Sequence, residues 1–323
     1  MEEILMTRTI AVIGVGNVGG AVAHQIVTSG MADDLILIDR REGKVEADAL
    51  DFEDAQANLT HHTNIIVNDY QAVAHAEVVI SAVGNIGLQS LDNPDRFAEL
   101  GFTSNQVKLV AQRLKEVGFH GKIICISNPC DIMTMIYQRV TGLPHNQVMG
   151  TGTMLDSARM HRAVGHALQV DPRSVEGYNL GEHGNSQFTA WSTVHVLGHP
   201  ISQLAKERNL DLNAIDEDSK MGGYTVVKGK AYTNYGIAAA ATRLATTILE
   251  DAHTQLPVSN WREEYGCYLS IPVVVGRAGV IERIRFDLTA DEQRKLQESA
   301  TFILEHFAQV DPANDELAAA VDQ

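Results

Sequence analysis

The stretch Thr9–Gly19, TIAVIGVGNVG, joins a short apolar run to a glycine-rich turn and then to a helical pattern. In such a turn Gly14 permits a tight bend, Gly16 lets a phosphate approach the backbone, and Gly19 lets the helix pack closely on the strand. Free N–H groups at the start of the helix attract an anion. The stretch predicts a dinucleotide-binding strand, turn and helix; a glycine-rich turn without a ligand is the alternative.

An acidic residue, Asp39, stands at the end of the next predicted strand, Leu35–Ile38. A carboxylate at this point of a dinucleotide-binding unit accepts hydrogen bonds from ribose hydroxyls and repels a 2′-phosphate. Asp39 therefore favours NAD over NADP. Arg40 and Arg41 follow directly and would reduce that repulsion.

Apolar β-branched runs alternate with helical stretches through the first half of the chain, which predicts a parallel sheet covered on both faces. After Gly152 the strands become shorter and more alternating. We therefore predict a nucleotide-binding domain at residues 1–150 and a substrate domain at residues 151–323, without a linker. The predicted elements are strands Ile10–Ile13, Leu35–Ile38, Asn64–Val67, Val78–Ser81, Ile123–Ile126 and Gln147–Met149, helices Val18–Ser29, Asp95–Glu116 and Leu155–Leu168, strands Tyr178–Leu180 and Thr193–Val196, a helical region Ala214–Glu250, a strand-rich stretch Leu256–Phe286, and a closing helix Thr289–Ala308 with a capping box.

The composition excludes several classes of protein and partner. The 323 residues are 45% hydrophobic and 20% charged, as in a globular protein, and the formal net charge of −16 argues against binding to nucleic acid or an anionic membrane. The three cysteines lack CxxC spacing, so we expect reduced thiols and no metal site. With neither a signal peptide nor a transmembrane stretch recognisable, we expect a soluble, cytoplasmic protein.

The segment Leu155–Arg159, LDSAR, begins a predicted helix. Asp156 and Arg159 are three residues apart, so they share one helix face and can point into the same cavity. The planar guanidinium of Arg159 suits bidentate binding of a carboxylate. An ordinary salt bridge within the helix is the alternative interpretation.

The segment Gly181–Ser186, GEHGNS, places His183 in a polar loop after a predicted strand. An imidazole is the natural proton donor and acceptor for an alcohol/ketone pair, and a neighbouring carboxylate such as Asp156 would fix its tautomer. A purely structural histidine is the alternative.

A polar, glycine-bearing loop, Val83–Asp95, leads to Arg96. Because it follows a strand of the nucleotide domain, it can close as a lid that brings Arg96 onto a substrate carbonyl and excludes water. A surface loop followed by a helix-capping arginine is the alternative.

With Ser127–Pro129 and Gly150–Thr153, these segments resemble the L-lactate/L-malate dehydrogenase family over nearly the whole chain. Gly84–Ile86 and Asp92–Leu100 further resemble the L-2-hydroxyisocaproate dehydrogenases of lactic acid bacteria. The resemblance implies an α/β fold: a Rossmann-type doubly wound parallel sheet followed by a mixed α+β substrate domain. It also implies NAD as cofactor and a homotetramer.

The resemblance assigns roles to individual residues. His183 would donate and accept the proton with Asp156 as its partner, Arg159 would bind the substrate carboxylate, and Arg96 would polarise the carbonyl. Further implied contacts are Asn128 with substrate and nicotinamide, Thr233 in the side-chain pocket, and Gly14, Gly16, Val18, Gly19, Asp39, Tyr70, Gly84 and Thr151 on the cofactor.

The loop also bears on the choice of substrate. The stretch Asn85–Asp95 contains no Lys or Arg and carries Asp92 and Asp95, so a second substrate carboxylate is disfavoured and malate with it. The expected specificity stretch Ile86–Gln89, in which Gln89 is a predicted substrate contact, is largely uncharged and apolar. This predicts 2-oxoisocaproate as substrate and L-2-hydroxyisocaproate as product, with pyruvate and L-lactate as the alternative. An NAD-requiring glycosidase, for which an adjacent Cys-His pair is lacking, and a non-catalytic NAD-binding module are distant alternatives.

Overall fold

The computed structural model describes residues 7–88 and 97–314, and its largest sheet has eight strands. These are β1 (Thr9–Ile13), β2 (Asp34–Ile38), β3 (Asn64–Val67), β4 (Val78–Ser81), β5 (Lys122–Cys125), β6 (Val148–Gly150), β13 (Ser259–Arg262) and β14 (Cys267–Ser270). Their order is β14-β13-β6-β5-β4-β1-β2-β3, and β1 to β6 pair in parallel. Strand β13 joins β6 antiparallel, with Ser259 opposite Gly150. The strand order reverses between β1 and β4, where a doubly wound sheet binds its ligand.

Helices cover both faces of this sheet because successive strand residues point to opposite sides. On β1, Ala11 and Ile13 belong to the core beneath the helices that begin at Leu100, Cys130 and Ala290, whereas Ile10 and Val12 belong to the core beneath the helices that begin at Asn17, Glu42 and Tyr235. The helices are α1 (Asn17–Ser29), α2 (Glu42–Gln56), α3 (Tyr70–Val73), α4 (Leu100–Glu116), α5 (Cys130–Thr141), α6 (Met154–Leu168), α7 (Ile201–Arg208), α8 (Leu212–Lys230), α9 (Tyr235–Leu249) and α10 (Ala290–Phe307). This arrangement confirms the predicted α/β fold class.

The second half of the chain adds three small antiparallel sheets. Their strands are β7 (Val175–Glu176), β8 (Asn179–Leu180), β9 (Phe188–Thr189), β10 (His195–Val196), β11 (His199–Pro200), β12 (Thr254–Leu256), β15 (Val273–Gly276) and β16 (Gly279–Arg283). They pair in the orders β11-β10-β7, β12-β15-β16 and β8-β9. A satellite core between α6, α7 and α8 includes Met160, Val164 and Ile215.

Several local predictions can be compared with this structure. The six strands predicted in the first half are present within one residue at each end. The region Ala214–Glu250 is two helices, because Ala231 adopts a left-handed conformation (φ 65°) and ends α8. The helix predicted from Asp95 is regular from Leu100 onward, and Asp95 lies outside the described residues.

The closing helix has the predicted capping box at its start. The Thr289 hydroxyl accepts from the Glu292 backbone N–H, and the Glu292 carboxylate accepts from the Thr289 N–H. All three cysteines, Cys125, Cys130 and Cys267, are buried free thiols, as predicted. Within the described part of the chain, no helix has the length and apolar character needed to cross a membrane.

Candidate active site

A cavity of about 610 Å³ lies at the carboxyl ends of the central parallel strands. It is lined by the residues that directly follow β1, β2, β4 and β5, at the point where the strand order reverses. Eight of the predicted contact residues line it: Gly14, Gly16, Val18, Asp39, Tyr70, Gly84, Asn128 and Thr233. The structure thus brings both ends of the predicted dinucleotide site into one cavity.

The glycine turn fits a bound pyrophosphate. Gly14 has φ 89°, and a Cβ there would lie 2.9 Å from the backbone of Ala82. A Cβ on Gly19 would lie 2.0 Å from the Gly14 carbonyl oxygen, so Gly19 lets α1 pack on the turn and does not line the cavity. A Cβ on Gly16 would meet only the Arg41 guanidinium, at 4.0 Å, and no side chain caps the first N–H groups of α1. Those N–H groups are therefore available to an anion.

At the end of the cavity nearest β2, the Asp39 carboxylate is paired with Arg41. The backbone N–H and Nε of Arg41 donate to Oδ1 at 2.9 and 3.0 Å, and Nη2 donates to Oδ2 at 3.0 Å. Burial raises the pKa of Asp39, but the hydrogen bonds and charge of Arg41 outweigh burial and hold that pKa below its ordinary value. A carboxylate stands where ribose hydroxyls were predicted to bind, with a guanidinium already on it.

Asn128 and Thr233 lie at the other end of the cavity. Asn128 follows β5 and precedes Pro129 through a cis peptide bond, and Thr233 lies in the break between α8 and α9. Thr151, in contrast, is buried, does not line the cavity, and donates its N–H to the Cys125 carbonyl. Its predicted contact with the cofactor is not seen in this cavity.

The residues predicted to act on the substrate form one hydrogen-bonded series. Nδ1 of His183 lies 2.5 Å from Oδ2 of Asp156, and Nη1 of Arg159 donates to Oδ1 of Asp156 at 2.9 Å. The side chains are 14%, 4% and 18% exposed, respectively. The intrahelical salt bridge of the LDSAR segment is therefore present, and the same Asp156 also contacts the imidazole, whereas binding of a carboxylate by Arg159 stays a prediction. Because a carboxylate accepts, Nδ1 is the protonated ring nitrogen and Nε2 is left for another partner.

A buried carboxyl that the sequence analysis missed, Asp131, holds the backbone of this histidine. Its Oδ2 accepts from the His183 N–H at 2.8 Å, and its Oδ1 accepts from the Ser259 hydroxyl at 2.5 Å. Burial raises the pKa of Asp131 to about 7, and the charge of Glu182 adds to this, while the bonds from Ser259 and His183 act in the opposite direction. An acid in the largely apolar first half of helix α5, three residues after Asn128, was the available signal.

Two further contacts support the site and were also missed. The hydroxyl of Ser299 on α10 accepts from the Glu182 N–H at 2.6 Å and so supports the histidine loop. On α8, a Cβ on Gly223 would lie 3.2 Å from Cζ of Arg159, so the helix backbone lies directly on the guanidinium. Neither contact has a sequence signal, because each depends on how two distant helices pack.

Gln89 and Arg96, which were predicted for the loop, lie outside the described residues. Before them, Ile86–Leu88 forms a single 3₁₀ turn whose Leu88 is 44% exposed. In residues 7–88 and 97–314 no group of three His, Cys, Asp or Glu side chains is arranged to hold a metal ion.

Sequence profiles of known families match almost the entire chain. The lactate/malate dehydrogenase NAD-binding domain matches residues 8–150, and the α/β C-terminal domain of the same family matches residues 153–311. L-lactate dehydrogenase 1 of Bifidobacterium longum is 36% identical over 313 residues, which cover 94% of this chain and 98% of that protein. The chain belongs to the lactate/malate dehydrogenase family.

Solved structures of this family have the same fold. The minor L-lactate dehydrogenase from Enterococcus mundtii, in a ligand-bound form, aligns with a TM-score of 0.88 and 31% identity over 95% of this chain and 99% of its own. The lactate dehydrogenase from Cryptosporidium parvum, complexed with lactic acid and NAD, aligns with a TM-score of 0.90 and 29% identity over 96% and 99%. The predicted family is confirmed, and this lactate/malate dehydrogenase family member is an NAD-dependent 2-hydroxy acid oxidoreductase.

Proposed function

We propose that this enzyme reversibly reduces pyruvate to L-lactate with NADH. The carrying observation is the series Arg159–Asp156–His183, which places a cation, a carboxylate and an imidazole in contact. Reduction of a 2-oxo acid needs a cation for the carboxylate and a proton donor for the carbonyl oxygen. The related proteins named L-lactate dehydrogenase support pyruvate over the longer 2-oxoisocaproate that the loop sequence favoured.

His183 is the proposed proton donor in reduction and proton acceptor in oxidation. NAD, when bound in the cavity lined by Gly14, Gly16 and Asn128, supplies the hydride chemistry. Asp156 holds Nδ1 of His183, so that Nε2 presents the proton to the carbonyl oxygen, and the Asp156 charge stabilises the imidazolium. Asp156 thus acts by orientation and charge and does not itself transfer the proton.

Arg159 is the proposed binding group for the substrate carboxylate. Among the described residues, Nη1 of Arg159 donates to Asp156. Because a guanidinium has five N–H donors in one plane, a pair of coplanar N–H donors remains for the substrate carboxylate. The packing of Gly223 on its other side limits its movement. Arg96 as the carbonyl-polarising group, Gln89 and Thr233 in the side-chain pocket, Thr151 on the cofactor, the division at residue 150, the cytoplasmic location and the homotetramer stay predictions.

A second candidate substrate, 2-oxoisocaproate, is favoured by one observation. The 3₁₀ turn Ile86–Leu88 carries two apolar residues, and the stretch Asn85–Asp95 has no cation. Each buried methylene of a branched apolar chain contributes only about 1–3 kcal/mol, so the preference between the two acids is a matter of degree.

The proposal is tested by following NADH loss with pyruvate, 2-oxoisocaproate and oxaloacetate and comparing kcat/KM. We expect pyruvate to lead and oxaloacetate to be the poorest. A lead for 2-oxoisocaproate would instead support the second candidate, and a lead for oxaloacetate would contradict both. A His183→Asn variant should lose at least about 100-fold in kcat while still binding NADH. Unchanged activity in that variant would remove His183 from the proposed role and leave the substrate result standing.

A further inference from the structure

The adenosine end of the cofactor cavity contains an unusual pairing of charges. Arg41 donates three hydrogen bonds to the Asp39 carboxylate, and the backbone N–H of Val15 also lies close enough to lower the pKa of Asp39. An ionised carboxylate accepts about four hydrogen bonds, so its capacity is nearly filled. Both ribose hydroxyls of NADH can bind this carboxylate together only if Arg41 gives up at least one of its bonds.

The same local pairing occurs a second time in this chain, away from the cofactor cavity. Arg173 donates to Asp171 through its backbone N–H, Nε and Nη2 at 2.8, 3.0 and 2.8 Å, and its side chain is 90% exposed. The same turn therefore forms at an exposed site as well as beside the cofactor cavity. The pairing at Asp39 affects cofactor binding because Asp39 and Arg41 line the cavity.

Two other cations surround the Asp39–Arg41 pair. Arg40 and Lys44 both line the same end of the cavity. Arg40 is exposed, its guanidinium lies 5.9 Å from the Phe102 ring centroid, and no carboxylate in the described ranges pairs with it. Lys44 donates to the Val15 carbonyl at 2.5 Å and pairs with Asp48. At this end of the cavity the charged lining residues are the three cations Arg40, Arg41 and Lys44 and the acid Asp39, although an acid at this position ordinarily repels a 2′-phosphate.

We propose that Arg41 is a cofactor-selectivity residue that lets this enzyme bind NADPH as well as NADH. Arg41 neutralises Asp39 and competes with the ribose hydroxyls of NADH for its oxygens. The same guanidinium, together with the unpaired Arg40, offers planar donors to a 2′-phosphate, for which arginine is well suited. This proposal concerns the cofactor cavity alone and does not depend on which 2-oxo acid is the substrate.

The test is a direct titration of NADH and NADPH, followed by the fluorescence of the bound nicotinamide, at fixed ionic strength and without substrate. We expect wild-type Kd values for the two cofactors to lie within about tenfold of each other. Arg41→Ala should raise the ratio of the NADPH to the NADH Kd by at least tenfold, by weakening NADPH and strengthening or sparing NADH. The matched variant Arg173→Ala, which breaks the same turn elsewhere, should leave both Kd values unchanged.

A second variant separates charge from the hydrogen bonds to Asp39. Arg41→Lys keeps the positive charge but loses the planar set of N–H donors that bind Asp39. We therefore expect NADH to bind more tightly than in the wild type, and NADPH binding to weaken less than in Arg41→Ala. The proposal is overturned if Arg41→Ala leaves the Kd ratio unchanged or lowers it, or if Arg173→Ala changes the ratio equally. It is also overturned if wild-type NADPH binding is a thousandfold weaker than that of NADH. Because binding is read without turnover, a failed substrate assignment would not imitate any of these results.

Discussion

At the scale of single residues, the Asp156 carboxylate contacts both His183 and Arg159. Its two oxygens are divided between His183 and Arg159, so one carboxylate orients both the proposed proton donor and the proposed carboxylate-binding cation. Its burial strengthens both contacts, because charges interact more strongly where water is excluded. Any change in the geometry of Arg159 is therefore expected to affect substrate binding first.

Replacing Arg159 by lysine tests the need for a planar group. Arg159→Lys keeps the positive charge but loses the paired N–H donors, and charge-assisted hydrogen bonds of this kind are worth about 1.5–3 kcal/mol. We expect KM for the 2-oxo acid to rise by about 10- to 100-fold, measured from initial rates at saturating NADH. Arg162→Lys is the control, since Arg162 lies one turn later and pairs with the exposed Asp218. An equal rise in KM for both variants would contradict the assignment.

At the scale of elements, α8 packs on α6 so that its backbone at Gly223 lies against the Arg159 guanidinium. A Cβ on Gly223 would lie 3.2 to 3.4 Å from the guanidinium, whereas a Cβ on Gly229 of the same helix would have no neighbour within 4 Å. Both glycine-to-alanine changes gain helix propensity of about 1 kcal/mol. The two variants thus form a matched pair.

We expect Gly223→Ala to raise KM for the 2-oxo acid several-fold, since the added methyl displaces the Arg159 guanidinium by a few tenths of an ångström. Gly229→Ala should leave KM unchanged, and its Tm should be equal to or above that of the wild type. Steady-state kinetics and thermal unfolding provide the two readouts. If Gly223→Ala kept the wild-type KM, α8 would not constrain Arg159.

The capping box of α10 gives a second prediction at this scale. Thr289→Ala removes the hydroxyl that accepts from the Glu292 N–H, and loss of such a cap costs about 1 kcal/mol. We expect a lower free energy of unfolding in urea. We expect kcat to stay almost unchanged, because the cap lies at the start of α10, whereas Ser299, which supports the histidine loop, lies in the middle of that helix. Thr301→Ala, at an exposed position of the same helix, should not lower the stability.

At the scale of the whole molecule, Asp131 joins three distant parts of the chain. It lies on α5 and binds the His183 loop and β13. Its pKa of about 7 lies above the ordinary value of 3.8. Between these two values the folded state holds a proton that the unfolded state has lost, so this group lowers the stability as the pH rises. Its stabilising contribution is complete below the unfolded pKa and is lost as the pH rises through the folded pKa.

Asp131→Asn should therefore flatten the pH dependence of stability. Between pH 5 and pH 8 we expect the wild type to lose up to about 3 kcal/mol more than this variant, from the shift of about 1.4 kcal/mol per pKa unit. Urea unfolding at several pH values measures the difference, and Asp287→Asn, at an exposed carboxylate, should follow the wild-type curve. Parallel curves for wild type and Asp131→Asn would show that Asp131 is already ionised at pH 5 in the folded protein.

Features that depend on neighbouring residues were predicted from the sequence, whereas features that depend on contacts between elements were not. The six parallel strands, the glycine turn and the α10 capping box were predicted because each depends on residues within one element or one turn. The break at Ala231 was not predicted, since alanine favours helix and the left-handed conformation that ends α8 there is unusual for this residue. Thr151 was predicted to contact the cofactor; it is buried and donates its N–H to the Cys125 carbonyl, and its contact with the cofactor stays a prediction.

The sequence by itself determined the fold class, the dinucleotide turn and the residue types of the site, because hydrophobic period, turn chemistry and motif spacing are local properties of the chain. Only the tertiary structure decided that the Asp156 carboxylate lies 2.5 Å from Nδ1 of His183, that Asp131 holds the histidine loop, and that Gly223 lies on Arg159. These contacts join residues on separate elements. Their hydrogen bonds form only when packing of the apolar cores brings those elements within about 3 Å of one another, and no local pattern records that distance.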